Sequence, residues 1–191
     1  MGKNRLEAFS DGVIAVIITI MVLEMKVPHG AQPSDLLPML PVFLNYVLSF
    51  VYVGIYWGNH HHLFHLVKHV DGRLLWANNH LLFWLSLVPF STGWMGENHF
   101  ATWPTVLYGI NLLLCGAAYD MMVRVICRAN PDVQLTGHAA QGNWKRIWSV
   151  LLYFAAIPLA FVHVLLADAL FVAVAIMWIV PDRRIEKALG I

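Results

Sequence analysis

The side chains best equipped for chemistry in this sequence are imidazoles. His60, His61, His62, His65 and His69 fall within ten positions, and His80 follows. Neutral imidazole is a common ligand for transition metals, and it changes charge near neutral pH. His61 and His65 stand four apart, so on a helix they share a face, as a metal-holding pair does. Membrane oxidoreductases with two irons need several His-x-x-His-His boxes on separate segments, and only one cluster is present here. A haem would pair His61 with His80 or His163 across the bundle, and the place of His163 near the opposite membrane face weakens that reading. What remains for the cluster is a helix end whose imidazoles bond backbone and carboxylates, a pH sensor, or a metal site. The expected reading is the first, with no resident metal or cofactor. No nucleophile–base pair, phosphate loop or cofactor fingerprint accompanies the histidines, so no catalysis by the protein is expected. Cys115 and Cys127 lie in one apolar stretch and its basic end and form no disulfide framework.

The second candidate is Asp11, inside an otherwise apolar run. A carboxylate there is expensive unless it faces protein and has a partner. On a 100° wheel centred on Val16, the side chains of Phe9, Gly12, Val13, Val16, Ile20 and Leu23 fall within about 60° of one another's mean direction. Thr19 flanks that stripe. Asp11 falls near −140° and Ser10 near +120°, so both point away from it. Ile18 is turned about 160° away. A stripe of this kind is a lipid-facing or core-facing side of a membrane helix, and Asp11 is either satisfied locally near the helix start or bonded to a neighbouring helix.

The elements that carry these residues are membrane helices. Of 191 residues, 59% are hydrophobic and 12% charged, with a mean hydropathy of +0.65. Soluble domains carry about twice that charge. A net charge of +1 gives no basis for nucleic-acid binding. Six apolar segments are predicted, at about 6–23, 34–57, 74–89, 102–123, 148–166 and 169–180. Ser34 and Asp35 are expected to cap the second. Asp168 is expected to mark a tight turn between the last two. Segments 129–147 read as a loop carrying Asn130-Pro131-Asp132 and Thr136-Gly137. Strand alternation is absent, so a barrel is excluded. Eleven of the twelve Lys and Arg residues fall on one side of this pattern and only Lys26 on the other. The positive-inside rule then puts both termini in the cytoplasm. Trp94 and Trp103 suit the outer interface; Trp57, Trp76, Trp144, Trp148 and Trp178 suit the inner one. Glu24, Asp35, Glu97 and Asp168 lie toward the outer side, as solvated loop charges or as a cation-concentrating mouth. Asp120 is expected to pair with Arg124, one turn on.

Arg5, Phe9-Ser10-Asp11 and the following Gly-Val-Ile-Ala-Val-Ile-Ile-Thr resemble the first-helix signature of the endosomal/lysosomal potassium channel family and its prokaryotic relatives. Trp57-Gly-Asn-His60-His61 and Pro181-Asp-Arg-Arg184-Ile-Glu186 add weaker matches. The resemblance covers the whole chain and implies one domain, 1–191, with six helices. It implies a homotetramer in a prokaryotic cell membrane, with the first helix of each copy around a potassium pathway. It implies hydrophobic constriction residues at Val16, Ile20 and Leu23, with a hydroxyl at Thr19. Where this chain has Val16, family members carry Ile or Leu, so its ring is wider. Arg5, Phe9, Ser10, Asp11, Trp57, His60, His61, Asn78 and His80 form the expected structural network, with His60, His61, Asn78 or His80 opposite Asp11. Potassium enters this account as the permeant ion, and monovalent cations and lipid as partners. The rivals are a His-cluster membrane oxidoreductase and a proton-coupled transporter using Asp11 and the histidines.

Overall fold

The computed structural model describes residues 2–130 and 144–179. Every regular element among them is helical. Helix α1 runs Lys3–Leu23, and a 3₁₀ segment, Pro33–Met39, leads into α2, Leu40–His65. Helices α3, Gly72–Ser86, and α4, Val88–Glu97, follow, then α5, Thr102–Ala129. The last pair is α6, Trp144–Leu159, and α7, Val164–Ile179. α1, the run Pro33–His65 and α5 are long and apolar enough to cross a membrane. The β-branched residues that crowd α1 are mediocre helix formers in water. In lipid the backbone has no other way to satisfy its N–H and C=O groups.

Local chemistry sets the boundaries. Asp71 caps α3 by accepting from the Leu74 N–H at 2.8 Å. The second segment is capped differently from expectation. Gln32 is its N-cap, and Asp35 reaches back to accept from the Gln32 N–H at 2.9 Å. Pro38 sits in the 3₁₀ segment, and Pro41 begins α2, where its missing N–H costs nothing. The third segment does not stop at Pro89. The chain breaks at Leu87 and α4 starts at Val88 with Pro89 in its first turn, carrying the segment on to Glu97. The turn between α6 and α7 occupies residues 160–163, and Asp168 lies inside α7 rather than at the turn. The mostly apolar stretch around it, marked only by Pro158 and His163, hides that turn from a sequence reading. Of the loop expected at 129–147, residues 131–143 lie outside the described residues, as does the motif at 181–186.

Two cores hold the helices. In one, Leu6, Ile14, Ile17 and Met21 of α1 meet Val53, Phe64, Leu74, Leu81, Leu85, Cys115 and Met122. In the other, Tyr52, Tyr108, Tyr153, Ala156 and Phe171 join α2, α5, α6 and α7. Lipid is as apolar as leucine, so burial alone cannot choose between arrangements in a bilayer. Polar links and close packing do. Asn45 donates to the Thr92 carbonyl at 2.7 Å, Thr92 Oγ1 to Ser49 Oγ at 2.7 Å, and Ser49 meets the Tyr108 hydroxyl at 2.9 Å. That chain fastens α2 to α4 and α5.

Candidate pore-lining helix and its supporting network

Helix α1 has two unlike sides. Leu6, Ser10, Ile14, Ile17 and Met21 are buried against the rest of the subunit. Val16, Ile20 and Leu23 are 54%, 40% and 79% exposed, and Phe9 and Gly12 share their side. Val16, Ile20 and Leu23 of the stripe therefore lie on an uncovered side of α1, while Val13 at its edge packs on the first core. A groove between this face and α4 is lined by Val16, Ile20, Glu24, Phe90, Gly93 and Trp94, among others. Thr19 is exposed too, and its hydroxyl donates to the Val16 carbonyl at 2.9 Å. With its proton committed, Thr19 offers only oxygen lone pairs to whatever lies beyond the stripe. Ile18 is half-buried and packs on the first core.

The buried side of α1 is pinned by a directional hydrogen-bond chain. His60 Nε2 lies 2.8 Å from Asn78 Oδ1, Asn78 Nδ2 donates to Ser10 Oγ at 3.0 Å, and Ser10 Oγ donates to the Leu6 carbonyl at 2.9 Å. The three side chains are buried and come from α2, α3 and α1. A proton on His60 Nε2, donated to Asn78 Oδ1, satisfies all three bonds at once. The ring also stacks on Phe64 with centroids 4.2 Å apart.

The other residues of the expected network lie elsewhere. Asp11 accepts from the Trp57 indole Nε1 at 3.0 Å, so its partner is Trp57 and none of His60, His61, Asn78 or His80. Trp57 reads from sequence as an interface aromatic, and its N–H is the donor that reading leaves unused. His80 accepts from Trp84 one turn along α3, at 2.9 Å. Arg5 and Phe9 are exposed. His61 faces His65 and Glu7, with Nε2–Nε2 at 3.0 Å and Nδ1–Oε1 at 3.6 Å. Glu7 is the residue of this cluster that sequence reading missed. Its one signal is spacing: it lies one turn before Asp11 at the start of α1.

Charges at the ends of the helices are mostly paired. Asp120 bonds Arg124 on its own helix and Arg146 on α6, the second of which has no sequence signature. Asn130 closes α5 by accepting from the Lys68 and His69 N–H groups at 2.8 and 3.0 Å. Of the four acids expected near the outer side, Glu97 pairs with Lys26 at 2.7 Å, and Asp35 serves the cap. The Glu97 hydrogen bond and charge raise the Lys26 ammonium above its usual range. Asp168 is half-buried in α7. Glu24, exposed directly after α1, is the acid with an open face beside the stripe.

A potassium channel of Chryseobacterium sp. (strain P1-3) is 50% identical over 189 residues, covering 99% of this chain and 98% of that protein. The chain belongs to the TMEM175 potassium channel family. The family model for the endosomal/lysosomal potassium channel TMEM175 matches residues 5–89, the stretch from α1 into the start of α4. A potassium channel of Streptomyces collinus is 41% identical over 99 residues, covering 50% of this chain and 48% of that protein. The crystal structure of a lysosomal potassium-selective channel TMEM175 homolog from Chamaesiphon minutus superposes with a TM-score of 0.78 at 28% identity. It covers 92% of this chain and 95% of that chain. These relatives are channels and not enzymes, and membership of a TMEM175 family of channels, with helices this apolar, makes the chain a membrane protein.

Proposed function

We propose that this chain is the subunit of a potassium channel in the cell membrane. Four copies surround one axis, and α1 of each faces that axis. The observation that carries the reading is the asymmetry of α1. One face is locked by the Ser10–Asn78–His60 chain and the first core, while the opposite face leaves Val16, Ile20 and Leu23 exposed along the groove beside α4. Exposed apolar side chains on a pore axis form rings that restrict hydrated ions by size and dewet when narrow. Thr19, its proton bonded to Val16, supplies an oxygen acceptor between the Val16 and Ile20 rings. The exposed Glu24 carboxylate at the end of the stripe attracts cations to one mouth. Gly12 has open space beside it, which permits close approach of a neighbouring copy.

In this account α3 and α4 together make one span broken at Leu87, and α6 and α7 make two short ones. With α1, α2 and α5 that gives six spans and cytoplasmic termini, in keeping with the distribution of Lys and Arg. The test is purified protein in liposomes. Native mass spectrometry gives four subunits, and a potassium gradient dissipates faster than through empty vesicles. A monomer with full flux, or a tetramer without any, removes the proposal. Flux at carrier rates that requires a proton gradient would instead favour the transporter.

A further inference from the structure

The His61–His65 pair at the end of α2 has the surroundings of a ligand set. The two Nε2 atoms lie 3.0 Å apart, one turn along α2. Tetrahedral zinc with Zn–N bonds near 2.0–2.1 Å holds its nitrogens about 3.3 Å apart, so the pair needs only a small opening to clasp an ion. Glu7 approaches from α1, and one ligand atom from each of the three residues lies within 4.8 Å of the other two. Its side chain is 20% exposed and that of His61 41%, so the site is partly enclosed but reachable from solvent. Trp57 stacks on His61 with ring centroids 6.1 Å apart, which limits the imidazole's rotation. Lys3, the nearby cation, donates to the His65 carbonyl at 3.2 Å rather than occupying Glu7. His60 is held by Asn78 and contributes no nitrogen.

We propose that Glu7, His61 and His65 bind one divalent transition-metal ion of the zinc class, joining the start of α1 to the end of α2. Two imidazoles and one carboxylate suit zinc, with water in the open position, better than magnesium or calcium, which favour oxygen ligands. The carboxylate turns toward the ion, and the site ties together two helices that otherwise meet here through the Trp57–Asp11 hydrogen bond and the bond from Lys3 to the His65 carbonyl. Because α1 carries the stripe, an ion at this point holds the base of that helix against α2. That last step rests on the α1-lined pore; the binding does not.

Isothermal titration of the purified assembly with zinc chloride tests the site directly. One ion per chain is expected. Glu7→Gln, His61→Ala and His65→Ala should each weaken binding at least tenfold, while His62→Ala and His69→Ala leave it unchanged. Cobalt(II) should quench the fluorescence of Trp57, and Trp57→Phe should remove that part of the quenching. Native mass spectrometry of each variant shows that it still assembles. Absence of binding in the wild type overturns the site, as does equal weakening by the His62 and His69 variants. Zinc should also change potassium flux in the wild type and not in His65→Ala. Binding without that change keeps the site and overturns its link to conduction.

Discussion

Removing the Asn78 side chain should loosen α1 more than any other single polar deletion in the subunit. Asn78 is fully buried and holds both partners at once: His60 through Oδ1 at 2.8 Å and Ser10 through Nδ2 at 3.0 Å. A hydrogen bond between side chains in a membrane protein contributes about 0.6 kcal/mol on average and rarely above about 1.7. A buried partner left unpaired costs about 1–3 kcal/mol more. His60 Nδ1 already has no hydrogen-bond partner among the described residues, so Asn78→Ala takes the partner of Nε2 and leaves both ring nitrogens without one. The expected loss is about 2–4 kcal/mol. Ser10→Ala removes the bonds Ser10 Oγ makes with Asn78 and with the Leu6 carbonyl and leaves Asn78 Nδ2 unpaired, for about 1–2 kcal/mol. Since the two share a bond, the double variant should cost less than the sum of the singles. The assay is the thermal midpoint of the purified assembly, with gel filtration to follow the tetramer. Asn78→Ala no worse than Ser10→Ala, or strict additivity, would refute the hydrogen-bond chain as the lock on α1.

Asp11→Ala should cost less than a buried carboxylate would, because the Trp57 pair is partly exposed; a loss near 1–2 kcal/mol in unfolding is expected, and Asp11→Asn, which keeps the acceptor, should recover most of it. If Asp11→Asn instead gives a stable assembly with altered ion preference, Asp11 faces the pathway. Gly109→Ala places a methyl 2.8 Å from the buried Phe171 ring and should destabilise by about 1–3 kcal/mol, whereas Gly116→Ala, whose nearest neighbour is the Tyr56 hydroxyl at 3.6 Å, should be neutral or slightly stabilising in the same thermal assay.

The two faces of α1 are readable in the sequence because a helix imposes its period on every residue, and a stripe of apolar side chains needs no knowledge of its neighbours. Ser10 and Asn78 are likewise conspicuous, since polar groups in apolar runs must be satisfied. Which group satisfies which is another matter. Asp11 lies on the same helix as Ser10, one position on, yet bonds Trp57, because 100° of rotation turns it from α3 toward α2. Spacing gives depth and direction but not the distance between two helices. The break at Leu87 and the turn at 160–163 escape notice for the opposite reason. Pro89 reads equally as an end or a beginning, and around the second turn Pro158 and His163 are weaker marks than the charge of Asp168 farther on. Arg146 reaches Asp120 across sequence separation that no local pattern encodes.

The central claim is that the exposed stripe of α1 lines the ion pathway. Single-channel recording under bi-ionic potassium and sodium tests it most directly, in assembled wild-type, Val16→Asn, Ile20→Asn and Ile18→Asn channels. A polar side chain at Val16 or Ile20 should wet the constriction, raise conductance and weaken the preference for potassium over sodium. Ile18→Asn, on the packed side, should lower the yield of assembled channel and leave its permeation unchanged. Unaltered conductance and selectivity at both Val16 and Ile20, in channels proven to be assembled, would take α1 out of the pore.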